Sequence, residues 1–298
     1  MAKVGIVIVN YNGRNYQNDC IQSIYDMQYK DAEIIVVDSG SKDDSIKLLK
    51  DSYPNVHVLE QSENVGVAKG NNIGIEYSLK LGTKYTLLMN NDVVLDSCLL
   101  DKLIEKTEGK YVTVPKIYYY EPDDLLWFAG GDFDFRKGTV FHYGMKEKDN
   151  GQYDEDKFIK YSPTCCMLIP NHVFDSVGMM DEKYFMYYDD CDFCLRLMDK
   201  GIKLLYVPHA IMWHKVSSST GGESSPLAVY YMTRNRFYFI RKYPGYMPFS
   251  TKFYSYFSNI AQYLLSPIRC RNDKYILPAM IDYRKNRMGR KDNLIRKR

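Results

Sequence analysis

Residues 4–13 read Val4-Gly5-Ile6-Val7-Ile8-Val9-Asn10-Tyr11-Asn12-Gly13, an apolar, β-branched run that stops at two asparagines and a glycine. β-Branched side chains fit a pleated strand, and asparagine and glycine favour the turn that ends one. The stretch predicts a strand near the start of the chain, followed by a turn that carries polar side chains.

Similar runs recur along the first third of the chain. They lie at Glu33–Val37, Val56–Leu59, Tyr85–Met89 and Tyr111–Val114, and the segments between them have the spacing of amphipathic helices. This alternation predicts an α/β fold with a mainly parallel central sheet flanked by helices on both faces.

A second structured block follows an irregular excursion over residues 117–160. It has a strand-like run at Cys166–Ile169, helices near Asn171–Val177 and Asp190–Lys200, and a strand at Lys203–Val207 that should stop before a proline. No linker-like composition separates the two blocks, so we expect both to share one sheet.

The bulk composition is that of an ordinary soluble globular protein. The chain has 298 residues, of which 45% are hydrophobic and 26% charged, and its formal charge of +3 gives no signature of a nucleic-acid partner. The start lacks a leader pattern, and no apolar run reaches the roughly 18 residues that span a bilayer. We therefore expect a cytoplasmic protein without a nucleic-acid partner.

Seven cysteines, an odd number, fit a reducing compartment. The pair Cys191 and Cys194 forms a single C-x-x-C, whereas a zinc site usually needs a second pair or nearby histidines. We interpret the two as buried free thiols.

Polar residues follow each strand of the first block, where ligands of open parallel sheets bind. These segments are Asn10–Gly13, Asp38–Ser41, Asn64–Asn72 and Asn90–Asp92. Each one alone is ordinary turn chemistry. Together they predict one crevice at the carboxyl ends of the strands.

The chemistry of that crevice suits a nucleotide diphosphate. Asp38 can accept the N3–H of a pyrimidine base, and Gly66 and Gly70 leave room for a phosphate-bearing ligand near the backbone. Asn90 and Asp92 offer the hard oxygen ligands that Mg²⁺ or Mn²⁺ prefers. Neither a G-x-G-x-x-G nor a P-loop pattern follows the first strand, which argues against a dinucleotide-dependent dehydrogenase and a P-loop NTPase.

The second block contains an acidic cluster, Asp189, Asp190 and Asp192, directly after aromatic residues. Carboxylates at a helix start also stabilise the helix dipole, and Asp192 can pair with Arg196 four positions on. An aromatic surrounding raises the pKa of a carboxyl group, as a general base requires. His214, beside Trp213, is either structural or a further metal ligand.

The C-terminal part differs in composition. Ala228–Tyr243 and Phe253–Leu265 are rich in aromatic and aliphatic residues at helical spacing, and residues 267–298 hold eleven Lys or Arg against three Asp. Two interpretations stay open. The helices pack on the main domain, or they form an amphipathic platform on an anionic membrane at its inner face.

The combination resembles the GT-A-fold glycosyltransferase family 2, and within it the rhamnosyltransferase-like branch. The resemblance covers residues 3 to about 240. Its motifs are Val7–Asn12, Val36–Asp43, Asn64–Gly66 with Gly70-Asn71, Asn90–Asp92, Tyr188–Asp192 and Trp213-His214.

The resemblance implies a GT-A nucleotide-diphospho-sugar transferase fold with a C-terminal helical extension. Residues 1–225 would be the catalytic domain, with a nucleotide-binding half at 1–116 and an acceptor half at 117–225, and residues 226–298 the basic extension. The donor site would be lined by Asn10, Asn12, Asp38, Asn64, Gly66, Gly70, Asn71, Asn90 and Asn91.

The family's D-x-D motif corresponds to Asn90-Asn91-Asp92, which leaves Asp92, with His214, as the ligands of a divalent cation, Mn²⁺ or Mg²⁺. The family's acidic pair corresponds to Asp189 and Asp190, with Asp190 as the base. The implied reaction transfers a sugar, with inversion, from dTDP-rhamnose or a UDP-sugar to a hydroxyl of a cell-surface glycan or lipid-linked oligosaccharide.

Two alternatives have distinct signatures. A catalytically weak nucleotide-sugar-binding protein would keep the fold, and the Asn at position 90 and the Asp at position 189 depart from the family pattern in that direction. A nucleotidyltransferase would carry a glycine-rich, arginine-containing loop after the first strand, where this chain has Asn10–Gly13.

Overall fold

The computed structural model describes residues 3–216, 224–269 and 272–291. Cys270, Arg271 and residues 292–298, which include part of the basic tail, lie outside this range. The strands are β1 Val4–Asn10, β2 Ala32–Asp38, β3 His57–Glu60, β4 Tyr85–Asn90, β5 Val93–Leu95, β6 Val112–Tyr119, β7 Leu126–Phe128, β8 Gly131–Asp134, β9 Thr139–His142, β10 Lys157–Ile159, β11 Cys166–Pro170 and β12 Leu204–His214. The helices are α1 Gln17–Tyr25, α2 Ser45–Ser52, α3 Gly66–Lys80, α4 Leu99–Thr107, α5 Val173–Val177, α6 Asp189–Asp199, α7 Pro226–Lys242, α8 Phe249–Arg269 and α9 Ile276–Arg284.

One central sheet contains strands from both predicted blocks. Its order is β10-β12-β6-β11-β4-β1-β2-β3, with β5 added on β12 and β7 on β6. The pairs β1 with β2, β1 with β4, β2 with β3, and β6 with β12 are parallel. This confirms the mainly parallel α/β sheet and the expectation that both blocks share it.

Strand β11 lies antiparallel between β4 and β6 and joins the two parallel groups. The position of β11 was not predicted, because strand periodicity carries no information on which strands become neighbours. The predicted boundary between the two halves, at residue 116, lies inside β6, and the boundary at 225 lies directly before α7.

The last strand of the sheet is longer than predicted. The expectation that it stops before Pro208 was wrong, since β12 continues to His214. The pairing with β6 shifts register between Val207 and Ile211, so the proline occupies an irregularity. Proline lacks the N–H of a regular ladder and is tolerated at such a bulge. His214 is the last residue of β12 and pairs with Val93 of β5, so it lies directly beside the turn that follows β4.

Helix α3 lies directly on strand β1. Gly70 and Gly74 face the strand four residues apart, and a Cβ on Gly70 would lie 2.8 Å from the Val9 side chain, while one on Gly74 would lie 2.1 Å from that of Val7. These distances are too short for any larger residue without movement of the helix. The two glycines therefore set how closely α3 approaches the sheet.

The C-terminal helices differ in how far they pack on the main domain. Helix α7 is largely buried, and its N-cap Ser225 accepts a hydrogen bond from the backbone N–H of Ala228. Helix α9 packs on α7. The outer face of α8, in contrast, is exposed. In the described part of the chain, no helix has the length and hydropathy needed to span a bilayer.

Candidate active site

The carboxyl ends of β1, β2 and β4 meet at one edge of the sheet. Asn10 pairs in register with Asp38, and Val9 with Asn90, because the strands are parallel. The polar residues that follow the three strands are thereby brought together, as the sequence predicted.

A buried asparagine ties this edge together. The Asn10 side chain is fully buried, and its Nδ2 donates to Oδ1 of Asp38 at 3.2 Å and to Oγ of Ser45 at 3.2 Å. Its Oδ1 accepts a hydrogen bond of 2.7 Å from Nδ2 of Asn91. Asn10, Asp38 and Asn91, three of the residues predicted to line the nucleotide-sugar site, thus form one hydrogen-bond network with Asn10 at its centre.

Asp38 keeps one acceptor position available. Its Oδ1 accepts from Asn10 and from Oγ of Ser41, and its Oδ2 accepts from the backbone N–H of Ser41 at 3.1 Å. A carboxylate has about four acceptor positions. Within the described residues, Oδ2 therefore retains the capacity to accept one more N–H.

Asn12 fixes the loop beside this carboxylate. It adopts a left-handed backbone with φ of 52°, and its N–H donates to Oγ of Ser41 at 2.8 Å, while its Oδ1 accepts from the N–H of Lys42 at 2.8 Å. Asparagine tolerates this conformation better than most residues. Asn12 contacts the turn after β2 and keeps the Asp38 carboxylate at the edge.

Asp92 and His214, the predicted metal ligands, are neighbours. Oδ1 of Asp92 lies 3.2 Å from Nε2 of His214, and both side chains are buried. His214 also stacks edge to face on Trp127, with 4.7 Å between ring centroids. Within the described part of the chain, Nδ1 of His214 is buried without a hydrogen-bond partner.

This donor set fits a divalent cation that is shared with a ligand. Asp92 supplies a hard carboxylate oxygen and His214 the ring nitrogen Nε2 that faces it, whereas Asn90 has an amide in place of the second carboxylate. The described residues contain no group of three or more His, Cys, Asp or Glu side chains placed to hold a metal. Mg²⁺-type sites commonly combine one or two carboxylates with substrate phosphates.

The start of α3 contacts the loop before α6 rather than open space. Gly66 has φ of 81°, and a Cβ there would lie 2.4 Å from the carbonyl oxygen of Phe185. That carbonyl accepts from the N–H groups of Val67 at 2.7 Å and Ala68 at 3.3 Å. Asn64 accepts from the Gly66 N–H at 2.9 Å. The structure thus gives Gly66 a packing role, as it does Gly70, that the sequence interpretation did not include.

Two adjacent asparagines follow Gly70 on α3. Asn71 is buried, and it follows Gly70, which lies on Val9 of β1. Asn72 exchanges hydrogen bonds with the backbone of Met180, at 2.8 Å and 3.0 Å. Asn72 was not predicted as a site residue, although it joins α3 to the segment that leads into the acidic cluster.

The acidic pair begins α6 in a largely apolar surrounding. Oδ2 of Asp190 accepts from the Tyr161 hydroxyl at 2.7 Å, and its Oδ1 from the N–H of Cys191 at 2.7 Å. Burial raises the pKa of Asp190, against the effect of these two hydrogen bonds. A half-buried carboxylate with a raised pKa is suited to take up a proton.

Asp189 is more buried than Asp190. Its Oδ2 has no hydrogen-bond partner among the described residues, and burial, reinforced by the charge of Asp190, raises the pKa of Asp189 to about 8. Two adjacent carboxyl groups in one apolar site ionise in sequence rather than together. Asp189 is therefore the member of the pair that holds a proton more readily near neutral pH.

Asp192, the third carboxylate of the cluster, is structural. Its Oδ2 accepts from Nε of Arg196 at 2.8 Å, which confirms the predicted ion pair. Its Oδ1 accepts from Nζ of Lys242 at 2.5 Å and from the Tyr243 hydroxyl at 2.8 Å. These contacts fasten α6 to the C-terminal end of α7.

The loop before α6 has an unusual backbone. Phe185, Tyr187 and Tyr188 have φ of 68°, 63° and 70°, values that bulky side chains rarely adopt. Each such residue costs about 1–3 kcal/mol, so the surroundings must hold it in place. The strain lies directly before Asp189 and Asp190, and it sets the direction in which α6 begins.

Helix α7 holds this loop through two buried polar residues. Nδ2 of Asn235 lies 2.9 Å, 2.8 Å and 2.9 Å from the carbonyl oxygens of Tyr184, Met186 and Tyr187. Nη2 of Arg234 donates to Tyr184 at 3.1 Å. Sequence reasoning missed both residues. The available signal was the Arg-Asn pair in the middle of an apolar helix, where polar side chains need buried partners.

A buried cysteine joins the two parts of the site. Burial raises the pKa of the Cys165 thiol, and Cys166 and then the charges of Asp92 and Asp190 raise it further. The backbone N–H of Asn90 donates to the Cys165 carbonyl at 3.1 Å. The charges of the predicted metal ligand and of the predicted base thus both act on this buried side chain. Cys191 and Cys194 are buried and free, as predicted.

Comparison with known proteins gives a family match. The family model described as Glycosyl transferase family 2 matches residues 5–176, more than half of the chain.

Two curated proteins are similar over most of their lengths. The low-salt glycan biosynthesis hexosyltransferase Agl10 of Haloferax volcanii is 26% identical over 238 residues, which are 78% of this chain and 74% of that protein. The dTDP-rhamnosyl transferase RfbF of Shigella flexneri is 28% identical over 261 residues, 81% of each chain.

A solved structure has the same fold. The crystal structure of GalNAc-T7 with UDP, GalNAc and Mn²⁺ superposes with a TM-score of 0.64 at 18% identity. The superposition covers 83% of this chain and 51% of that one, so this chain spans about half the length of that protein. The likeness confirms the predicted GT-A fold.

Proposed function

Because the chain belongs to glycosyl transferase family 2, we propose that it is an inverting hexosyltransferase that moves a sugar from a nucleotide diphosphate to an acceptor hydroxyl. The observation that carries the proposal is that one short segment contacts both regions: the Cys165 carbonyl accepts from the Asn90 N–H at 3.1 Å, and the Tyr161 hydroxyl donates to Asp190 at 2.7 Å. Asn90 lies at the edge where the donor would bind, and Asp190 begins a helix of the acceptor half.

Asp38 would bind the base of the donor. Its remaining acceptor position on Oδ2 suits the N3–H of uracil or thymine, which are bases of UDP-sugars and dTDP-rhamnose. Asn10, Asn12 and Asn91 would hold this carboxylate in place, and Asn64, Asn71 and Asn90 would line the rest of the donor site. Gly66 and Gly70, which pack on Phe185 and Val9, would set how closely α3 approaches it. The similarity to the dTDP-rhamnosyl transferase RfbF supports dTDP-rhamnose as the first donor to test.

Asp92 and His214 would hold a divalent cation, Mn²⁺ or Mg²⁺, together with the donor diphosphate. When bound, such a cation offsets negative charge that develops on the departing diphosphate. The GalNAc-T7 structure, which has the same fold and contains Mn²⁺ and UDP, supports a divalent cation beside the nucleotide.

Asp190 would act as the general base. Its raised pKa favours proton uptake from the acceptor hydroxyl as that oxygen attacks the anomeric carbon from the face opposite the leaving group. A single displacement of this kind inverts the anomeric centre. Asp189, behind it, would hold a proton near neutral pH and so spare Asp190 the repulsion of a second charge.

The acceptor would be a hydroxyl of a cell-surface glycan or of a lipid-linked oligosaccharide. The name of the Haloferax relative, a glycan biosynthesis hexosyltransferase, supports a glycan acceptor. The basic C-terminal extension supports an acceptor at a membrane surface, which carries anionic lipids.

The test combines donor binding with product analysis. Full-length protein is mixed with Mn²⁺ and with dTDP-rhamnose or UDP-sugars; the true donor should raise the melting temperature, since a ligand of the native state stabilises it. That donor is then turned over with oligosaccharide acceptors, and NMR of the product should show an inverted anomeric centre. A retained centre would overturn the inverting mechanism.

The alternative, a catalytically weak nucleotide-sugar-binding protein, rests on Asn90 in place of a second carboxylate. If this alternative holds, the donor should raise the melting temperature in the same way, but neither sugar transfer nor hydrolysis of the donor should be detected under any condition tested. Detection of transfer excludes it.

A further inference from the structure

Helix α8 presents its apolar side to the outside. Thr251, Ser255 and Asn259, on the inner face, are buried. Phe249, Phe253 and Phe257, on the outer face, are 87%, 51% and 70% exposed. A helix on the surface of a soluble protein normally has the opposite arrangement, with its apolar stripe toward the core. Tyr256 packs on Phe237 of α7, but most of the apolar side chains described on α8 face away from the core.

The inner face of α8 is occupied by small polar contacts. The Thr251 hydroxyl donates to the carbonyl of Phe135 at 2.8 Å, and Asn259 donates to the carbonyl of Ser255 at 2.7 Å. The contact of Thr251 joins α8 to the segment after β8, whereas that of Asn259 lies within the helix, so the Thr251 contact helps to fix which side faces the protein. The aromatic side chains are therefore directed outward by the fold itself.

The exposed apolar residues form one continuous stripe. Phe249, Phe253, Phe257, Ile260 and Leu264 follow each other at spacings of four, four, three and four residues, which is the repeat of a helix face. Ile260 is 45% and Leu264 68% exposed. We call these five residues the α8 stripe. Contiguous apolar patches of this kind mark an interaction surface.

Helix α9 packs against α8 and extends this surface. Its Leu277 and Ile281, four residues apart, are each 43% exposed. Arg284 and Lys285 continue the same face by one turn and are also exposed. The outer side of α9 thus combines apolar residues with positive charge.

The charge around the stripe is of one sign. The acidic residues between positions 244 and 291 are Asp273 and Asp282, and both are buried. Asp282 is paired with Lys291 at 2.5 Å. The exposed charged side chains of this segment in the described part of the chain are all basic: Lys252, Lys274, Arg284, Lys285 and Arg287.

We propose that the α8 stripe, with Leu277 and Ile281 of α9, docks into the interface of an anionic lipid bilayer. An apolar face flanked by Lys and Arg, on a helix that does not span the bilayer, is the pattern of an in-plane amphipathic anchor. Anionic lipid headgroups match the basic rim.

A second copy of the chain suits this surface less well. A two-fold interface brings the same patch of both copies together, so the basic rims would face each other without acidic partners.

Membrane docking would add to the proposed function, and it rests on that function for the statement that the acceptor is linked to a lipid. Docking through α8 would hold the site at the bilayer surface, where such an acceptor lies.

The experiment measures partitioning of full-length protein onto vesicles. Vesicles of pure phosphatidylcholine and of equal parts phosphatidylcholine and phosphatidylglycerol are sedimented with wild type, with Phe257→Ser/Leu264→Ser, and with the control Phe158→Ser. Phe158 is 48% exposed on β10, away from α8. Each variant replaces exposed side chains, so we expect all to fold, and melting curves verify this.

We expect wild type and Phe158→Ser to bind the anionic vesicles at least about tenfold more strongly than the neutral ones, and the double variant to lose about tenfold or more of that binding. Equal partitioning of wild type and the double variant would overturn the proposal. So would a wild-type dimer in light scattering that becomes a monomer in the double variant without any vesicle binding.

The outcome is separable from that of the proposed function. Turnover of the donor with a water-soluble acceptor, in the absence of vesicles, should be the same in wild type and the double variant. A protein that binds anionic vesicles through α8 yet transfers no sugar would disprove the proposed reaction and leave the docking surface intact.

Discussion

Nε2 of His214 lies 3.2 Å from Oδ1 of Asp92, although 122 positions separate the two residues. The pairing of β12 with β5 sets this distance, because His214 is in register with Val93, the residue after Asp92. The backbone N–H of Lys215 also donates to the Asp92 carbonyl at 2.9 Å. The end of the second block is thus fastened to the turn at the end of β4, which brings the two predicted metal ligands together.

Replacement of His214 should weaken activation by metal. We expect His214→Ala to raise the Mn²⁺ concentration for half-maximal transfer by about tenfold or more, since loss of a metal-site contact typically costs 10–100-fold in affinity or activity. The control is His209→Ala, which changes an exposed histidine of the same strand. An unchanged Mn²⁺ dependence in His214→Ala would remove His214 from the site.

Metal and nucleotide should bind together. Because two protein side chains are proposed to hold the cation, Mn²⁺ alone should bind weakly, and dTDP or UDP should raise its affinity. Titration calorimetry with and without nucleotide measures this. Tight binding of Mn²⁺ without nucleotide would show that further protein ligands take part.

Replacement of Asp190 should abolish transfer while the fold persists. Removal of a general base typically costs about 10²–10⁴-fold in rate, so Asp190→Asn should lower kcat by at least about 100-fold with donor binding retained. Asp175→Asn, a change at an exposed carboxylate, serves as the control. Donor affinity is read by thermal shift and the rate by nucleotide release. Wild-type kcat in Asp190→Asn would refute the assignment.

Asp189 should make the stability of the protein fall with rising pH. Its folded pKa of about 8 lies above the ordinary aspartate value of 3.8, so between these values the folded state binds more protons than the unfolded state. The free energy of unfolding therefore decreases from about pH 4 to about pH 8, and Asp189→Asn should flatten this decrease. Urea unfolding at pH 5 and pH 9 compares the two proteins. A mutational effect on stability that is the same at both pH values would contradict the raised pKa.

Gly66→Ala should be far more damaging than Gly82→Ala. Both glycines have positive φ, 81° and 68°, but a Cβ on Gly66 would lie 2.4 Å from the Phe185 carbonyl, whereas one on Gly82 meets no atom within 4 Å. Gly82→Ala should cost only the left-handed backbone, about 1–2 kcal/mol. Gly66→Ala adds displacement of the loop before Asp189, so transfer should fall as well as stability. Equal losses in the two variants would show that the contact with Phe185 is unimportant.

Asn235→Ala should impair catalysis through the same loop. Its Nδ2 is the shared donor to three carbonyls of the strained segment, of which only that of Tyr184 keeps a second donor, Arg234. A buried carbonyl left without a donor costs about 1–3 kcal/mol. Since Asn235 contacts the loop and not the predicted donor edge, we expect kcat to fall with little change in donor affinity. Loss of stability with kcat unchanged would give Asn235 a structural role alone.

Local sequence predicted most of the secondary structure. The middle residues of β1, β2 and β4, such as Ile34–Val37 and Leu87–Met89, are apolar without alternation because both faces of these strands are buried, and that pattern is visible without any tertiary information. The apolar stripe of α6 and the Asp192–Arg196 pair are equally local, since residues four apart meet on one helix face. Proline at 208 misled the prediction, because a bulge absorbs it without ending β12.

The donor edge was predictable for a further reason. In a parallel sheet the carboxyl ends of neighbouring strands coincide, so residues after separate strands meet without any knowledge of the register, as Asn10 and Asp38 do. The roles of Gly66 and Gly70 were not predictable, because a glycine in sequence does not show whether a ligand, a carbonyl or a valine occupies the space beside it.

The sequence by itself determined the α/β architecture, the polar edge of the sheet and the acidic start of α6, because each depends on neighbours in the chain or on a rule common to parallel sheets. Only the tertiary structure decided that His214 meets Asp92, that Asn235 holds the loop before Asp189 and that α8 turns its aromatic residues outward. These three relationships join residues far apart in the chain, and they depend on strand pairing and helix packing that no local pattern encodes.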